Sequence, residues 1–501
     1  VSVPGFLHWV LTFRTYCLSG REARWPTPSG SHCCSISARA NAPPKTPKAR
    51  ISFHTSNFIP AIHHGGLPVF HYLMTSLDRT IAPAYQPVQD INLAQIETQT
   101  LSNGAPLHTV AFDQQPVMRV EVNMDAGAWY ENEPGTSSFA WKMLSEGTAS
   151  RTSAQISNAF DRYGAFLELN SGFDRGSLVV YCQPKHLANV LPLITEMLTE
   201  ATYPEKEFED LRSITLQNLK VSYEKTSHLA SVRFRQKLYG QQHPYGRSQH
   251  PDTVGTLPQA EAIAFYNRYI RQQPFRVLLA GQITLTETAL VNEILGQLSI
   301  QPGVSDESGR FPAITTDSTP ELIEKANSLQ STIRLGRGLF KRDHPDFYKM
   351  MVTNEILGGY FGSRLMKNIR EDKGFTYGIS SNVGAFREAG QFLIGTDVKR
   401  EFTQQTINEI WKEIHKLQTE QTPADELLTV QNYMAGEFVG SLNTPFEIAD
   451  RYKTILLDGL PADFLSSYIS RIRAVTVDDV QQIAQTYLTE GSLVEVVAGG
   501  K

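Results

Sequence analysis

A short segment in the first third of the chain alternates strictly between apolar and polar side chains. Met118, Val120 and Val122 are apolar, whereas Arg119 and Glu121 between them are charged. Successive side chains of a β-strand point to opposite faces of a sheet, so this period of two predicts a strand with one buried face.

Further elements follow this strand. A helix is predicted over about 135–146, and the next apolar residues, Ile156, Ala159, Phe160 and Tyr163, stand at helical spacing. Further helices are predicted near 186–202 and 204–225. Two more strands are predicted near 164–171 and 174–183, and the turn between them is too short for a parallel crossover, so they must pair antiparallel. Strand pairs that alternate with helix pairs indicate an α+β fold, with helices packed on one face of an antiparallel sheet.

The same pattern occurs twice along the chain. Pro204 and Pro423 each precede a long amphipathic helix. Segments 275–281 and 493–499 are both apolar, both end in Ala-Gly, and are separated by nearly the same offset as the two prolines. Solenoid repeats are far shorter than this, so the duplication predicts two homologous domains. We expect these at 78–301 and 319–501.

A linker rich in Gly, Pro, Ser and Asp is predicted between the domains, at 302–318. Residues 1–77 differ from both domains, because they contain seven Lys and Arg but one acidic residue, a net charge of +6. The whole chain has a net charge of −5, so the part beyond residue 77 has a net charge of −11.

We interpret residues 1–77 as a disordered or non-native extension. Our preferred hypothesis is that residues 1–73 are non-native or mis-assigned and that the natural protein begins at Met74. Prolines interrupt this segment throughout, and it shows no helical or strand period. The apolar run 6–13 is the basis of an alternative, a secretory signal peptide, but no basic residue precedes it. Six of the thirteen histidines and three of the four cysteines lie in this segment.

Composition narrows the class of protein. Hydrophobic residues make up 41% of the chain and charged residues 19%, as in soluble globular proteins. The net negative charge gives no reason to expect nucleic-acid binding, and no apolar run approaches the length of a membrane-spanning helix. Beyond residue 77 the one cysteine is Cys182, which fits a reducing compartment. We expect a cytoplasmic protein, with the periplasm as the alternative.

Motifs for a self-sufficient active site are missing. The chain has no phosphate-binding Gly-x-x-x-x-Gly-Lys-Ser/Thr, no Gly-x-Gly-x-x-Gly and no Gly-x-Ser-x-Gly. The seven histidines beyond residue 77 include no pair three to five residues apart, which excludes a two-histidine metal site on a helix. The segment 243–247, His-Pro-Tyr-Gly-Arg, is interpreted as a structural loop.

The most informative segment lies in the second half. It comprises Asn354, Leu357-Gly358-Gly359, Ser363-Arg364-Leu365, Arg370-Glu371 and Gly374-Phe375-Thr376-Tyr377-Gly378. With this segment the chain resembles the insulinase-type (pitrilysin) zinc metallopeptidases, including their bacterial and mitochondrial processing-peptidase branches, over roughly residues 95–501. The resemblance implies a two-domain half-clamshell. It also implies that Arg370 and Tyr377 hold substrate and support its transition state in trans, at a zinc ion in another domain.

The resemblance also locates the family's zinc motif, and this chain lacks the ligands. The inverted motif His-x-x-Glu-His should lie between Gly135 and the pair at 147–148. The positions of the two histidines, the glutamate base and the third ligand are occupied by Ser138, Lys142, Trp141 and Asn218. These side chains cannot replace two imidazoles and a carboxylate around zinc, and an indole cannot deprotonate water. Glu168-Leu169 likewise replaces the Asn-Ala of the family's substrate edge.

These expectations imply a non-zinc subunit of a heterodimeric metalloendopeptidase that is inactive alone. This chain would bind no cofactor, and zinc would belong to a homologous partner subunit that cleaves peptides; neither nucleic acid nor membrane is expected as a partner. One alternative is an inert scaffold subunit of the same fold. Another is a substrate-recognition subunit of a processing peptidase, although the long glycine-rich loop of that branch is missing between Leu357 and Ser363. A self-contained peptidase is the last alternative.

Overall fold

The computed structural model of the protein describes most of the chain beyond residue 95: residues 96–112, 115–303, 311 and 313–501, with positions 80, 88, 91 and 93. The predicted extension 1–77 and the start at Met74 lie outside the described residues. Part of the predicted linker, at 304–310 and 312, lies outside them as well. These features therefore stay predictions.

In the described part of the first half, six strands form one sheet. They are β1 (Glu97–Thr100), β2 (Pro106–Ala111), β3 (Met118–Met124), β4 (Phe166–Ser171), β5 (Gly176–Cys182) and β6 (Arg276–Gly281). Their order is β1-β2-β6-β3-β5-β4, and every neighbouring pair is antiparallel except β2 with β6. The helices are α1 (Thr136–Lys142), α2 (Ser153–Arg162), α3 (Leu187–Glu200), α4 (Glu205–Tyr223), α5 (Thr226–Tyr239), α6 (Pro251–Gly255), α7 (Gln259–Phe265) and α8 (Leu285–Ile294).

The described part of the second half contains a five-stranded sheet. Its strands are β7 (Glu321–Glu324), β8 (Gln330–Leu339), β9 (Thr376–Ala385), β10 (Gly390–Lys399) and β11 (Val494–Gly499). The helices are α9 (Phe347–Asn354), α10 (Thr403–Thr419), α11 (Ala424–Gly440), α12 (Pro445–Asp458), α13 (Tyr468–Arg473) and α14 (Val477–Tyr487). Two π-helical segments, Glu355–Gly359 and Met366–Asp372, lie between α9 and β9.

The two sheets share one topology. The order β7-β11-β8-β10-β9 repeats β2-β6-β3-β5-β4 strand for strand, and each sheet has its one parallel pair, β2–β6 or β7–β11, at the same place. The predicted α+β class with two homologous domains is therefore confirmed. The sheets depart from the expectation in that one pair of each is parallel.

One helix from each half of the chain packs on the sheet of the other half. Helix α5 packs on β8 and β11 of the second sheet, and α12 packs on β6 and β2 of the first. The two helices are equivalent in the duplication, because their first residues are separated by the same offset as Pro204 and Pro423. Helix α12 starts at a capping box, in which the backbone N–H of Thr444 donates to Glu447 Oε2 (2.9 Å), and it ends at Gly459, which has a φ of +63°.

The packing of α12 on the first sheet shows that part of the prediction for β3 was wrong. The strand lies where the alternation placed it, but the inference of one buried face is wrong, because all seven of its residues are buried. Helix α12 covers the polar face and supplies charges to it. Arg119 Nη2 lies 3.0 Å from Asp450 Oδ1, and Lys453 Nζ lies 3.0 Å from Glu121 Oε1. Buried charges are tolerated when they are paired in this way.

The other predicted elements lie close to their expected bounds. The helix predicted over 135–146 is α1, which continues beyond Lys142 as a 3₁₀ turn, Met143–Ser145. The two strands that follow pair antiparallel as β4 and β5, and the next two helices are α3 and α4. In the part of the chain that the structure describes, none of the helices combines the length and the hydrophobicity that spanning a bilayer requires.

Candidate functional site

Arg370 lies on the π-helix Met366–Asp372, near the edge of the second sheet. Buried Met366 and Ile369 attach this helix to the core, and it packs against β9. The helix ends because Gly374 adopts a φ of +66°, a backbone conformation that side chains with a β-carbon disfavour. The chain then enters β9 at Thr376, which places Arg370 and Tyr377 on neighbouring elements at one corner of the sheet.

Tyr377 lies in a β-bulge on the edge strand. The register pairs Ile379 with Thr396 and Thr376 with Val398, so Tyr377 and Gly378 together oppose one residue of β10. Bulges redirect side chains and are frequent beside active sites. The side chain of Tyr377 is 97% exposed, and its hydroxyl has no hydrogen-bond partner among the described residues.

The Thr376 hydroxyl stabilises this bulge. It donates to the carbonyl of Asp397 (2.7 Å) on the neighbouring strand and accepts from the backbone N–H of Gly378 (3.1 Å). These bonds fix the backbone of the bulge that carries Tyr377, whereas the tyrosine ring makes almost no contact with the described residues.

The guanidinium of Arg370 contacts an aromatic ring instead of a carboxylate. Its central carbon lies 4.5 Å from the centroid of the Phe361 ring. In the described part of the chain it has no ion pair or hydrogen bond. Neighbouring Arg364 differs, because its Nε and Nη2 donate to the two carboxylate oxygens of Glu426 at 3.0 and 2.7 Å. The N–H groups of Arg370 are thus available to a ligand, whereas those of Arg364 form an ion pair within the protein.

A tightly packed glycine pair precedes Phe361. A β-carbon on Gly358 would lie 2.8 Å from the backbone N of Ser381 in β9, and one on Gly359 would lie 2.3 Å from Oε2 of Glu355. The helix can therefore approach the edge strand this closely only where residue 358 is glycine, whereas a β-carbon on Gly359 would displace the Glu355 carboxylate.

Glu355 is a buried carboxyl next to this glycine pair. Burial, with a smaller contribution from the nearby Glu437 carboxylate, raises the pKa of Glu355 to about 7. The group lies on the π-helix Glu355–Gly359, and π-helical turns are frequent at functional sites. It therefore titrates near neutral pH, beside the glycine pair that leads to Phe361.

Trp141, at the position of the family's catalytic glutamate, is a core residue. Its indole N–H donates to the carbonyl of Ala126 (2.9 Å), and its side chain is fully buried. The ring lies against Gly176, where a β-carbon would be 2.0 Å from the indole nitrogen. Packing and hydrogen bonding therefore account for this side chain.

The other three zinc-motif positions lie on α1 and α4. Ser138 is half-buried, whereas Lys142 and Asn218 are exposed, and partial desolvation lowers the pKa of the Lys142 amine. An ammonium, an indole, a hydroxyl and an amide do not fit a zinc ion. Within the described ranges, no group of three or more His, Cys, Asp or Glu side chains is arranged to hold a metal. Glu168 and Leu169 lie on β4, the edge strand of the first sheet.

Comparison with protein families agrees with this architecture. The model of "Insulinase (Peptidase family M16)" matches residues 109–248, and that of "Peptidase M16 inactive domain" matches residues 256–434. Together the two models match more than half of the chain. The chain belongs to the insulinase family, M16.

Individual M16 relatives are distant. An uncharacterized zinc protease of Bacillus subtilis is 22% identical over 407 residues, which cover 79% of this chain and 96% of that protein. An uncharacterized zinc protease of Rickettsia felis is 23% identical over 341 residues, covering 67% and 81%.

Solved structures show the same fold. A peptidase M16 inactive domain from Pseudomonas fluorescens has a TM-score of 0.74 at 22% identity, covering 81% of this chain and 98% of that one. A protease from Helicobacter pylori has a TM-score of 0.73 at 16% identity, covering 81% and 100%.

Sequence reasoning missed two features of this candidate site. Phe361 was one aromatic residue in an irregular segment, and its contact with Arg370 depends on how two π-helical segments are arranged. The bulge at Tyr377 was missed as well, although Gly378 after a tyrosine in a strand is a known signal of irregular pairing. The segment 243–247 was interpreted as a structural loop. In agreement with this, the Tyr245 hydroxyl donates to Asp174 Oδ1 (2.6 Å).

Proposed function

We propose that this M16 chain is the non-zinc subunit of a heterodimeric metalloendopeptidase, and that Arg370 and Tyr377 act at the active site of a zinc-bearing homologous partner. One observation supports the proposal most directly. At one corner of the second sheet, the guanidinium of Arg370 and the phenol of Tyr377 both lack polar partners among the described residues, and the tyrosine projects from a bulge in the edge strand.

Both groups suit a peptide substrate. A guanidinium and a phenolic hydroxyl donate hydrogen bonds, and a peptide carbonyl oxygen accepts them. These bonds strengthen as negative charge develops on the carbonyl oxygen, so the same two groups bind the substrate and stabilise the transition state. The zinc ion of the partner would supply the activated water.

The residues at the zinc-motif positions in the first half of the chain support the proposal that a second subunit carries the zinc ion. Trp141 is engaged with Ala126 and Gly176, and Lys142 places an ammonium where the family has a zinc ligand. A chain with these residues needs a second subunit for metal-dependent hydrolysis. A scaffold subunit, in contrast, would have no use for unpaired donors at an exposed corner.

The test is a mixing experiment with purified proteins. The partner is a zinc-bearing M16 protein that co-purifies with this chain. The mixture of the two should cleave a fluorogenic peptide faster than either protein alone. Tyr377→Phe should reduce the stimulated rate by about 100-fold, the loss typical of removing one oxyanion donor. Tyr163→Phe is the control, because that tyrosine lies in the first half of the chain, is partly exposed and has no polar side-chain partner in the described part of the chain.

Arg370→Ala should also remove most of the stimulation, whereas Arg162→Ala, at an exposed position on α2, should leave it intact. If the mixture is no more active than the separate subunits, the proposal is wrong and an inert scaffold becomes the better interpretation. Approximately one equivalent of zinc in this chain alone would instead indicate a self-contained peptidase.

A further inference from the structure

Phe361 is exposed although the chain on both sides of it is tightly packed. Its side chain is 64% exposed, and its ring face is covered by the Arg370 guanidinium at 4.5 Å. We propose that Phe361 is the positioning residue that fixes the guanidinium of Arg370 for substrate binding; this inference rests on the function proposed above.

The backbone around Phe361 is firmly attached to the domain. Leu357 before it and Ser363 after it are buried, and the backbone N–H of Ser363 donates to the carbonyl of Tyr360 (3.1 Å). The Tyr360 ring packs on the Tyr433 ring of α11 with centroids 4.9 Å apart. These interactions hold the segment on both sides of Phe361, so its ring offers a stable surface.

An aromatic ring positions an arginine without using its hydrogen-bonding capacity. The ring face attracts the cation through its quadrupole, and the in-plane N–H groups stay available for other acceptors. A carboxylate would also position the guanidinium, but it would accept two of those N–H groups, as Glu426 does with Arg364. The choice of a ring at residue 361 therefore suits an arginine whose N–H groups bind a peptide carbonyl or carboxylate.

The contact also restricts the arginine side chain. A free arginine loses rotamer entropy when it binds a ligand, and a preorganised one loses less. The contact with the Phe361 ring therefore restricts the Arg370 side chain, while the bulge fixes the backbone from which Tyr377 projects. Phe361 itself does not need to contact the substrate.

The experiment uses the complex with the zinc-bearing subunit and measures kcat and KM for a fluorogenic peptide. Phe361→Leu keeps an apolar side chain but removes the ring, and should raise KM more than it lowers kcat. The expected loss in kcat/KM is about two- to fivefold, the range for a cation–π contact at an exposed site. Phe361→Tyr and Phe361→Trp keep a ring face and should retain the wild-type value.

A double-mutant cycle distinguishes positioning from a general structural effect. In the background Arg370→Ala, Phe361→Leu should have no further effect on kcat/KM, because the residue that it positions is absent. The matched control is Phe166→Leu, since Phe166 is 61% exposed on the edge strand of the first sheet and its ring contacts Tyr181. Thermal unfolding of each variant reports folding independently of activity.

The outcomes separate the two proposals. If wild-type chain fails to stimulate the zinc subunit, the proposed function is wrong. If wild-type chain stimulates and Phe361→Leu is equally active, or if Phe361→Leu loses the same factor with and without Arg370, the positioning role of Phe361 is wrong while the proposed function stands. Loss of activity in Phe361→Tyr would also overturn the inference.

Discussion

Replacing Glu355 with glutamine should change how the stability of the protein depends on pH. Burial and the Glu437 carboxylate raise the pKa of Glu355 from 4.5 to about 7 in the folded protein. In the unfolded chain the carboxyl has its ordinary pKa, so between these values the folded state binds a proton that the unfolded state has lost. The contribution of this group to the free energy of unfolding is therefore fully present below about pH 4.5, and it is lost as the pH rises to about 7.

The size of the effect follows from the shift. Each unit of pKa corresponds to about 1.4 kcal/mol, so the ionised carboxylate costs about 3 kcal/mol of unfolding free energy at pH 8. Glutamine resembles the protonated acid in shape and stays neutral. Glu355→Gln should therefore lie within about 1 kcal/mol of wild type near pH 5 and exceed it by about 3 kcal/mol at pH 8.

Urea unfolding of wild type and Glu355→Gln at pH 5 and pH 8 measures the difference. Comparing the two proteins at each pH cancels the contribution of all other titrating groups. Glu371→Gln is the matched control, because Glu371 is exposed on the adjacent π-helix, and it should change stability equally little at both pH values. A glutamine variant that is no more stable than wild type at pH 8 would refute the reasoning about Glu355.

Three other predictions concern the core. Arg119→Met should destabilise the protein by about 3 kcal/mol in urea, because it leaves buried Glu121 with Lys453 as its one ion-pair partner among the described residues; an unchanged midpoint would contradict the role assigned to α12. Trp141→Ala should cost about 4 kcal/mol by the same measurement, since it empties a fully buried site, and a loss below about 1 kcal/mol would argue against a core role. Burial raises the pKa of Cys182 to about 11, so iodoacetamide should alkylate it only after unfolding; rapid labelling of folded protein would show the thiol to be accessible.

The periodicity of the chain was sufficient to predict most local elements. The strands β3, β4 and β5 and the helices α3 and α4 lie close to the expected positions, since their patterns come from burial against the helices and strands of their own half. The duplication was also evident, because a nearly constant offset preserves the positions of proline and of the terminal Ala-Gly strand. The shared topology of the two sheets is the structural form of that repeat.

Local patterns could not predict contacts between distant parts of the chain. The charges of Arg119 and Glu121 indicated a solvent-facing side of β3, whereas their partners Asp450 and Lys453 lie on a helix of the other half, near the far end of the chain. A polar residue in a strand gives no sign of whether water or a distant ion pair surrounds it. This is why the alternation located the strand correctly but assigned its second face wrongly.

The resemblance supplied the identity of the candidate residues but not their geometry. The family motif located Arg370 and Tyr377, and the structure places them on neighbouring elements at the edge of the second sheet. The bulge at Tyr377 and the ring contact of Arg370 arise from strand register and from the path of residues 358–363. Neither feature follows from residue spacing alone.

Peptide cleavage by the mixed subunits is the most direct test of the central claim. We expect a zinc-bearing M16 partner to become a much faster peptidase when this chain is added. Tyr377→Phe and Arg370→Ala should each remove most of the gain, whereas Tyr163→Phe should not. A mixture that is no faster than the partner alone, or a gain that is unchanged by both substitutions, would contradict it.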